Sequence, residues 1–103
     1  MLNFFKKFFV KKQPVFCYKL EIRYLIKLAD DYYDKRNVGK IKVILKQIIE
    51  ISLSQKYISQ SEHAEILSEF YNLDSINNLN KRTSYLGYVS YCRIKNKLLK
   101  SCQ

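Results

Sequence analysis

The sequence predicts an all-α fold, an antiparallel four-helix bundle preceded by a short amphipathic N-terminal helix. Apolar residues recur at intervals of three and four in four separate stretches, the period of helices with one buried face. Glycine and proline are nearly absent, with only Gly39, Gly87 and Pro14 in 103 residues, which disfavours a fold of many tight turns. A Ser-x-x-Glu capping box at Ser59–Glu62 marks one helix start, because the serine hydroxyl can accept from the third amide while the glutamate reaches back.

The elements follow in order. In residues 2–12, Leu2, Phe4, Phe5, Phe8 and Phe9 fall on one arc and Lys6, Lys7, Val10 and Lys11 lie opposite, so the stretch is predicted to be an amphipathic helix whose phenylalanines dock on the bundle with the lysines toward water, or alternatively suit a partner, nucleic-acid or lipid surface. Pro14 ends it, lacking an N–H and disfavouring the α conformation at Gln13. A helix over 17–34 turns Tyr18, Ile22, Leu25, Ile26, Leu28, Ala29, Tyr32 and Tyr33 inward, and Asn37, Val38 and Gly39 form a break. A helix over 40–56 buries Ile41, Ile44, Leu45, Ile48, Ile49 and Ile51, with burial outweighing the modest helix propensity of isoleucine. The capped helix then runs from Ser59 through Ala64, Ile66, Leu67 and Phe70 and frays near Asn72. Residues 72–82, rich in Asn and Asp, read as a loop or a poorly formed helical turn. A last helix, 84–100, is predicted to face inward through Tyr85, Val89, Cys92 and Leu99, with Tyr88, Tyr91 and Leu98 beside them. Domain organisation is accordingly an arm, 1–13, and one helical domain, 14–103, large enough to bury about two-thirds of its unfolded surface.

Charge carries the functional signal. Residues 1–29 have a net charge of +6 and residues 81–103 another +6, while 30–80 sum to −2. Two cationic ends threaded with aromatics point to a polyanionic partner, either nucleic-acid phosphate or anionic lipid headgroups. On the last helix, Lys81, Arg82, Arg93, Lys95 and Lys97 are the candidate phosphate contacts, with Tyr88 and Tyr91 as candidates for stacking on unpaired bases; Tyr85 is assigned to the core. Phe4, Phe5, Phe8 and Phe9 are the candidate membrane or partner surface. Some of the positive charge in the last helical turns also serves the helix dipole.

Chemistry beyond binding finds little support. His63 is the only histidine, and Glu62 and Glu65 do not share its helical face, so no metal triplet is expected. Asp30 and Asp34 share a face and suit weak cation binding, but Arg23 and Lys27 are placed to neutralise them. No nucleophile with a base and an orienting group can be assembled, and there is no glycine-rich phosphate loop. The expectation is a protein that is not an enzyme and needs no cofactor. Cys17, Cys92 and Cys102 are odd in number and lack zinc spacing, which suits free thiols in a reducing compartment; Cys102 is read as part of a frayed tail. No run of 18 apolar residues exists, and the N-terminal lysines interrupt the apolar stretch instead of preceding it, unlike a secretory signal. The expected location is cytoplasmic, with peripheral contact at the inner membrane face as the alternative.

Residues 43–79, VILKQIIEISLSQKYISQSEHAEILSEFYNLDSINNL, resemble the last two helices of the four-helix-bundle proteins related to ribosomal RNA intervening-sequence proteins. That family includes the accessory variability determinant of diversity-generating retroelements. The shared pattern is a long apolar helix, then Lys56–Ser59, then a capped helix with Ile66, Leu67, Leu73 and Ile76 apolar. The chain departs from the family in a shortened N-terminal helix pair and in lacking its Gly-Gly-Trp-like ending. The resemblance implies a basic, oligomeric helical bundle that binds RNA and a reverse transcriptase. The sequence as a whole therefore leads to a non-enzymatic accessory protein binding nucleic acid, RNA or single strands foremost. A membrane-surface protein of the bacteriocin-immunity kind and a phage or plasmid protein that inhibits a partner protein are the two alternatives.

Overall fold

The structure, a computed structural model, describes residues 17–77 and 81–102, without the side chains of Lys81 and Thr83. The amphipathic Phe/Lys segment lies outside the described residues. Among the described residues all regular structure is helical: α1 (Tyr18–Asp34), α2 (Val38–Ser54), α3 (Gln60–Phe70), a 3-10 segment (Tyr71–Asn77) and α4 (Lys81–Ser101). The α1 bounds match the expected span to one residue. α2 begins two residues earlier than expected, because the Asn37 side chain accepts from the Lys40 amide and caps the helix, which places Gly39 inside the first turn.

Both α1 and α2 end on a basic residue in the left-handed region, Arg36 at φ 57° and Lys56 at φ 60°. The hydrogen bonds are those of a Schellman ending. The Arg36 and Asn37 amides donate to the carbonyls of Tyr33 and Tyr32, both at 2.9 Å. Those of Lys56 and Tyr57 donate to Leu53 and Ser52, at 3.1 and 2.7 Å. The capping box of α3 is complete, with Ser59 and Glu62 bonded reciprocally at 2.8 and 3.1 Å.

One core joins the helices. Ile22, Ile26 and Ala29 of α1 and Ile41, Leu45 and Ile48 of α2 are buried together with Ile66, Leu73, Ile76, Ile94 and Leu98. Residues 72–77, expected as loop or weak helix, form part of the 3-10 segment, whose three-residue turn brings Leu73 and Ile76 onto one buried side. α1 lies chiefly on α2, and α4 lies chiefly on the 3-10 segment and α3.

The inner face of α4 differs from the expected one. Gly87, Ser90, Tyr91, Ile94 and Leu98 are buried, whereas Tyr85 is exposed and Val89, Cys92 and Leu99 are half-buried. The cause is a close approach at Gly87. A Cβ there would stand 2.8 Å from the Ile76 nitrogen and 2.9 Å from the Asn72 carbonyl oxygen, so glycine lets α4 sit against the 3-10 backbone. Ser90 follows it inward because its hydroxyl is satisfied, accepting from Asn72 Nδ2 at 2.9 Å and donating to Glu69 Oε1 at 2.6 Å. Cys102, expected in a frayed tail, is fully buried, and its carbonyl accepts from Arg23 Nη2 at 3.5 Å.

Candidate nucleic-acid interface

The rotation of α4 decides which of its residues reach solvent. Tyr85 is 64% exposed and Tyr88 48%, and their rings lie 6.3 Å apart. Tyr33 of α1 continues the row. Its ring meets that of Tyr88 edge-on at 6.1 Å and stacks on that of Tyr91 at 4.8 Å. Tyr85, assigned from sequence to the core, is therefore surface, and Tyr91, a stacking candidate from sequence, is 3% exposed. The Tyr91 hydroxyl donates to Asp30 Oδ1 at 2.5 Å. Burial, reinforced by that hydrogen bond, holds its phenol well above the usual tyrosine range. Tyr91 thus underpins the row from below, and the bases it was expected to meet have no open face of it to stack on.

The expected phosphate contacts fall into two groups. Lys81 lies at the start of α4, where its side chain is not described, and Arg82 beside it is exposed. Arg93, Lys95 and Lys97 each meet a carboxylate on another helix. Arg93 Nη1 lies 3.4 Å from Glu69, Lys95 Nζ 3.1 Å from Asp30 and Lys97 Nζ 2.9 Å from Glu65. The hydrogen bond with Glu65 raises the Lys97 ammonium above its usual range. Surface pairs of this kind are worth about 0–1 kcal/mol each, so a phosphate could displace the carboxylates, but only by giving back that energy at every position.

A second set of cations, in a region that reads as nearly neutral in sequence, has no such competitor. Lys35 and Lys40 lie over the ring of Tyr32, at 5.7 and 6.0 Å from its centroid. Arg36 lies 4.8 Å from the Tyr33 ring. Among the described residues no carboxylate is within ion-pair distance of Lys35, Arg36 or Lys40. Sequence reasoning missed this set because its aromatic neighbours Tyr85 and Tyr88 are some 50 positions away in the chain; the signal that was present is the Lys-Arg pair at a helix end following Tyr32 and Tyr33.

Beside Tyr88 opens a shallow cleft of about 350 Å3, lined by Tyr33, Asp34, Tyr88, Tyr91 and Lys95 among others. Asp30 reaches it too but is occupied by Tyr91 and Lys95. Among the described residues no three His, Cys, Asp or Glu side chains are grouped to hold a metal ion, and no helix is long and apolar enough to cross a membrane. No protein family, curated protein or solved structure was found to match the chain.

Proposed function

We propose that this chain is a non-enzymatic basic helical protein, an antiparallel four-helix bundle, that binds nucleic acid as an accessory factor, with RNA or unpaired strands favoured over a duplex site. The observation that carries the reading is the pair of exposed rings, Tyr85 and Tyr88, continued by Tyr33 into a cluster of cations. Tyrosine faces stack on bases that are free of a partner, and lysine and arginine follow the backbone. The 6.3 Å ring spacing supports an extended strand, since stacked bases in a duplex are about 3.4 Å apart along each strand. The net charge of +10 supplies long-range attraction for any such polyanion. The antiparallel arrangement is supported by cross-helix pairs that run in opposite sense, Asp30 with Lys95 and Arg23 with Cys102 between α1 and α4, and Glu65 with Lys97 and Glu69 with Arg93 between α3 and α4.

Fluorescence anisotropy with labelled single-stranded RNA and with duplex DNA, each across a salt series, tests the reading. The single strand should bind more tightly, and if six phosphates are neutralised its affinity should fall by roughly a thousandfold between about 50 and 200 mM salt. Tyr85→Ala combined with Tyr88→Ala should weaken the single strand more than the duplex. Equal binding of both, untouched by the tyrosine substitutions, defeats the proposal.

A second reading, a protein that occupies a partner protein's surface, is favoured by Leu20 and Tyr24. They lie one turn apart on α1 and are 60% and 62% exposed. Absence of binding in every nucleic-acid titration would favour it.

A further inference from the structure

We infer that a bound single strand seats its phosphates on the α1–α2 turn, on Lys35, Arg36 and Lys40, while neighbouring unpaired bases stack on Tyr85 and Tyr88; the α4 cations Arg93, Lys95 and Lys97 act mainly as ties between helices. The inference rests on the nucleic-acid reading above and names the surface that performs it.

Four observations lead to it. The turn and the exposed rings are physically continuous, because Arg36 covers Tyr33 and Tyr33 touches Tyr88, which neighbours Tyr85. A base over Tyr88 therefore has a guanidinium one ring away, the arrangement by which a stacking platform and an electrostatic groove share one strand. Secondly, the turn cations face aromatic rings instead of carboxylates, so a phosphate meets them without displacing an ion-pair partner. Thirdly, the first turn of α2 opens at the same place, and its amide ends add partial positive charge beside Lys40. The fourth is backbone conformation. Arg36 holds φ 57° where glycine would be at ease, so the side chain is kept at a conformational cost. Lys56 shows that this cost alone does not mark a site: it has the same conformation at the far end of α2, about 25 Å away for 17 residues of helix, and the ring next to it in the chain, Tyr57, is half-buried and covered by Lys19. Asp31 and Asp34 are the opposing charges, both exposed at the end of α1, and they limit the attraction without occupying the cations.

The test compares glycine substitutions at the two turns, using a labelled short oligouridylate as probe. Arg36→Gly should bind about five- to tenfold more weakly, with a salt slope shallower by about 0.7, the share of one phosphate on a single strand. Adding Lys35→Gln and Lys40→Gln should lower the slope by about 2 in all. Lys56→Gly should leave affinity and slope unchanged. Both glycine variants should melt at or above the wild-type temperature, because glycine relieves the left-handed strain, so a loss of binding in Arg36→Gly cannot come from unfolding. If the triple variant keeps wild-type affinity and slope while Tyr85→Ala weakens binding, the phosphates lie elsewhere and this inference fails with the nucleic-acid reading intact. If the wild type does not bind the probe, both fail. If the turn substitutions abolish binding to phosphatidylserine vesicles and the probe is not bound, the occupant is a lipid surface and the inference is wrong.

Discussion

The turn after α1 and the turn after α2 are built alike and lie in different surroundings. Each stops its helix with a basic residue at positive φ and the same pair of amide-to-carbonyl bonds, and each leads into a capped helix, after residues 35–37 at the first turn and 55–59 at the second. At the first turn Arg36, Lys35 and Lys40 rest on Tyr33 and Tyr32, next to rings that α4 leaves open. At the second, Lys19 lies 5.5 Å over Tyr57, and the nearby end of α4 carries Lys97 paired with Glu65. Local sequence sets how a helix stops, whereas the neighbouring helix sets whether the resulting cation faces a ring, a carboxylate or a ligand.

The largest expected effect comes from displacing α4. Gly87→Ala puts a methyl group within 3 Å of backbone atoms of Asn72 and Ile76, and backbone yields less readily than a side chain. The loss should reach the upper end of overpacking costs, about 3 kcal/mol, or roughly 12–20 °C in melting temperature for a domain of this size. Since Gly87 lies between Leu86 and Tyr88 in the chain, nucleic-acid affinity should fall with stability. An alanine variant that melts like the wild type would mean that α4 does not approach the 3-10 segment this closely, and the difference between the two ends of the molecule would lose its cause.

The next effect tests Tyr91, which connects the open row to the paired cations. Tyr91→Phe keeps the ring against Tyr33 but removes the hydrogen bond to Asp30, at a cost of about 1.5–2 kcal/mol because the acceptor is charged. This difference should depend on pH. The folded phenol is raised above its unfolded value by burial and by Asp30, so its contribution is complete below the unfolded pKa of about 10. As pH rises further, the unfolded state loses its proton first and the contribution fades. Denaturant titrations at about pH 8 and about pH 10.5 should therefore show the gap between wild type and Tyr91→Phe narrowing. A constant gap would contradict the raised pKa.

These two residues also show why half of α4 escaped a reading of the sequence. Helix positions with bulky aliphatic periodicity were legible: the α1 bounds, the isoleucine face of α2 and the Ser59–Glu62 box appear as their residue types require. On α4 the buried positions include a glycine and a serine, which carry no hydrophobic signal, and tyrosines, which suit core and surface alike. Period counting then favoured Tyr85, Val89, Cys92 and Leu99, to the side of the face that Gly87 and the Ser90 hydrogen bonds select. The candidate surface was legible as a class, cations among tyrosines, and Tyr88, named from the sequence, is exposed. The cations that accompany it were not, because ion pairing between helices removes Arg93, Lys95 and Lys97 from the list of uncommitted charges and no local pattern reports those partners.

A smaller effect sharpens the comparison of the two turns through their caps. Ser59→Ala removes the hydroxyl that accepts from the Glu62 amide and leaves the Ser59 amide bonded to the Glu62 carboxylate, and Asn37→Ala removes the acceptor of the Lys40 amide, so each should cost about 1 kcal/mol. Both are read from thermal melts. Asn37→Ala loosens the first turn, where Lys35, Arg36 and Lys40 stand, and should therefore weaken binding of a single strand more than Ser59→Ala does. The reverse order of binding losses would place the functional end of the molecule at the second turn.

The smallest effect concerns the acid in the adjoining cleft that, unlike Asp30, has no hydrogen-bond or ion-pair partner among the described residues. Asp34 is exposed, beside Tyr33 and Tyr88, and stands immediately before Lys35 in the chain, so a phosphate on the turn feels its repulsion. Two exposed charges about 4 Å apart interact by about 1 kcal/mol in water, and salt screens that within about 10 Å. Asp34→Asn should thus tighten single-strand binding by about twofold at low salt, and the gain should vanish at high salt. Glu50→Gln makes the same change in net charge on an exposed part of α2, about 15 Å along the helix from Lys40, and should give a smaller gain. Equal gains from both would show that only net charge matters and that the strand has no fixed path past the first turn. A loss of affinity in Asp34→Asn would mean that this carboxylate accepts a hydrogen bond from the ligand, a base edge or a ribose hydroxyl, and the cleft beside Tyr88 would then belong to the binding surface.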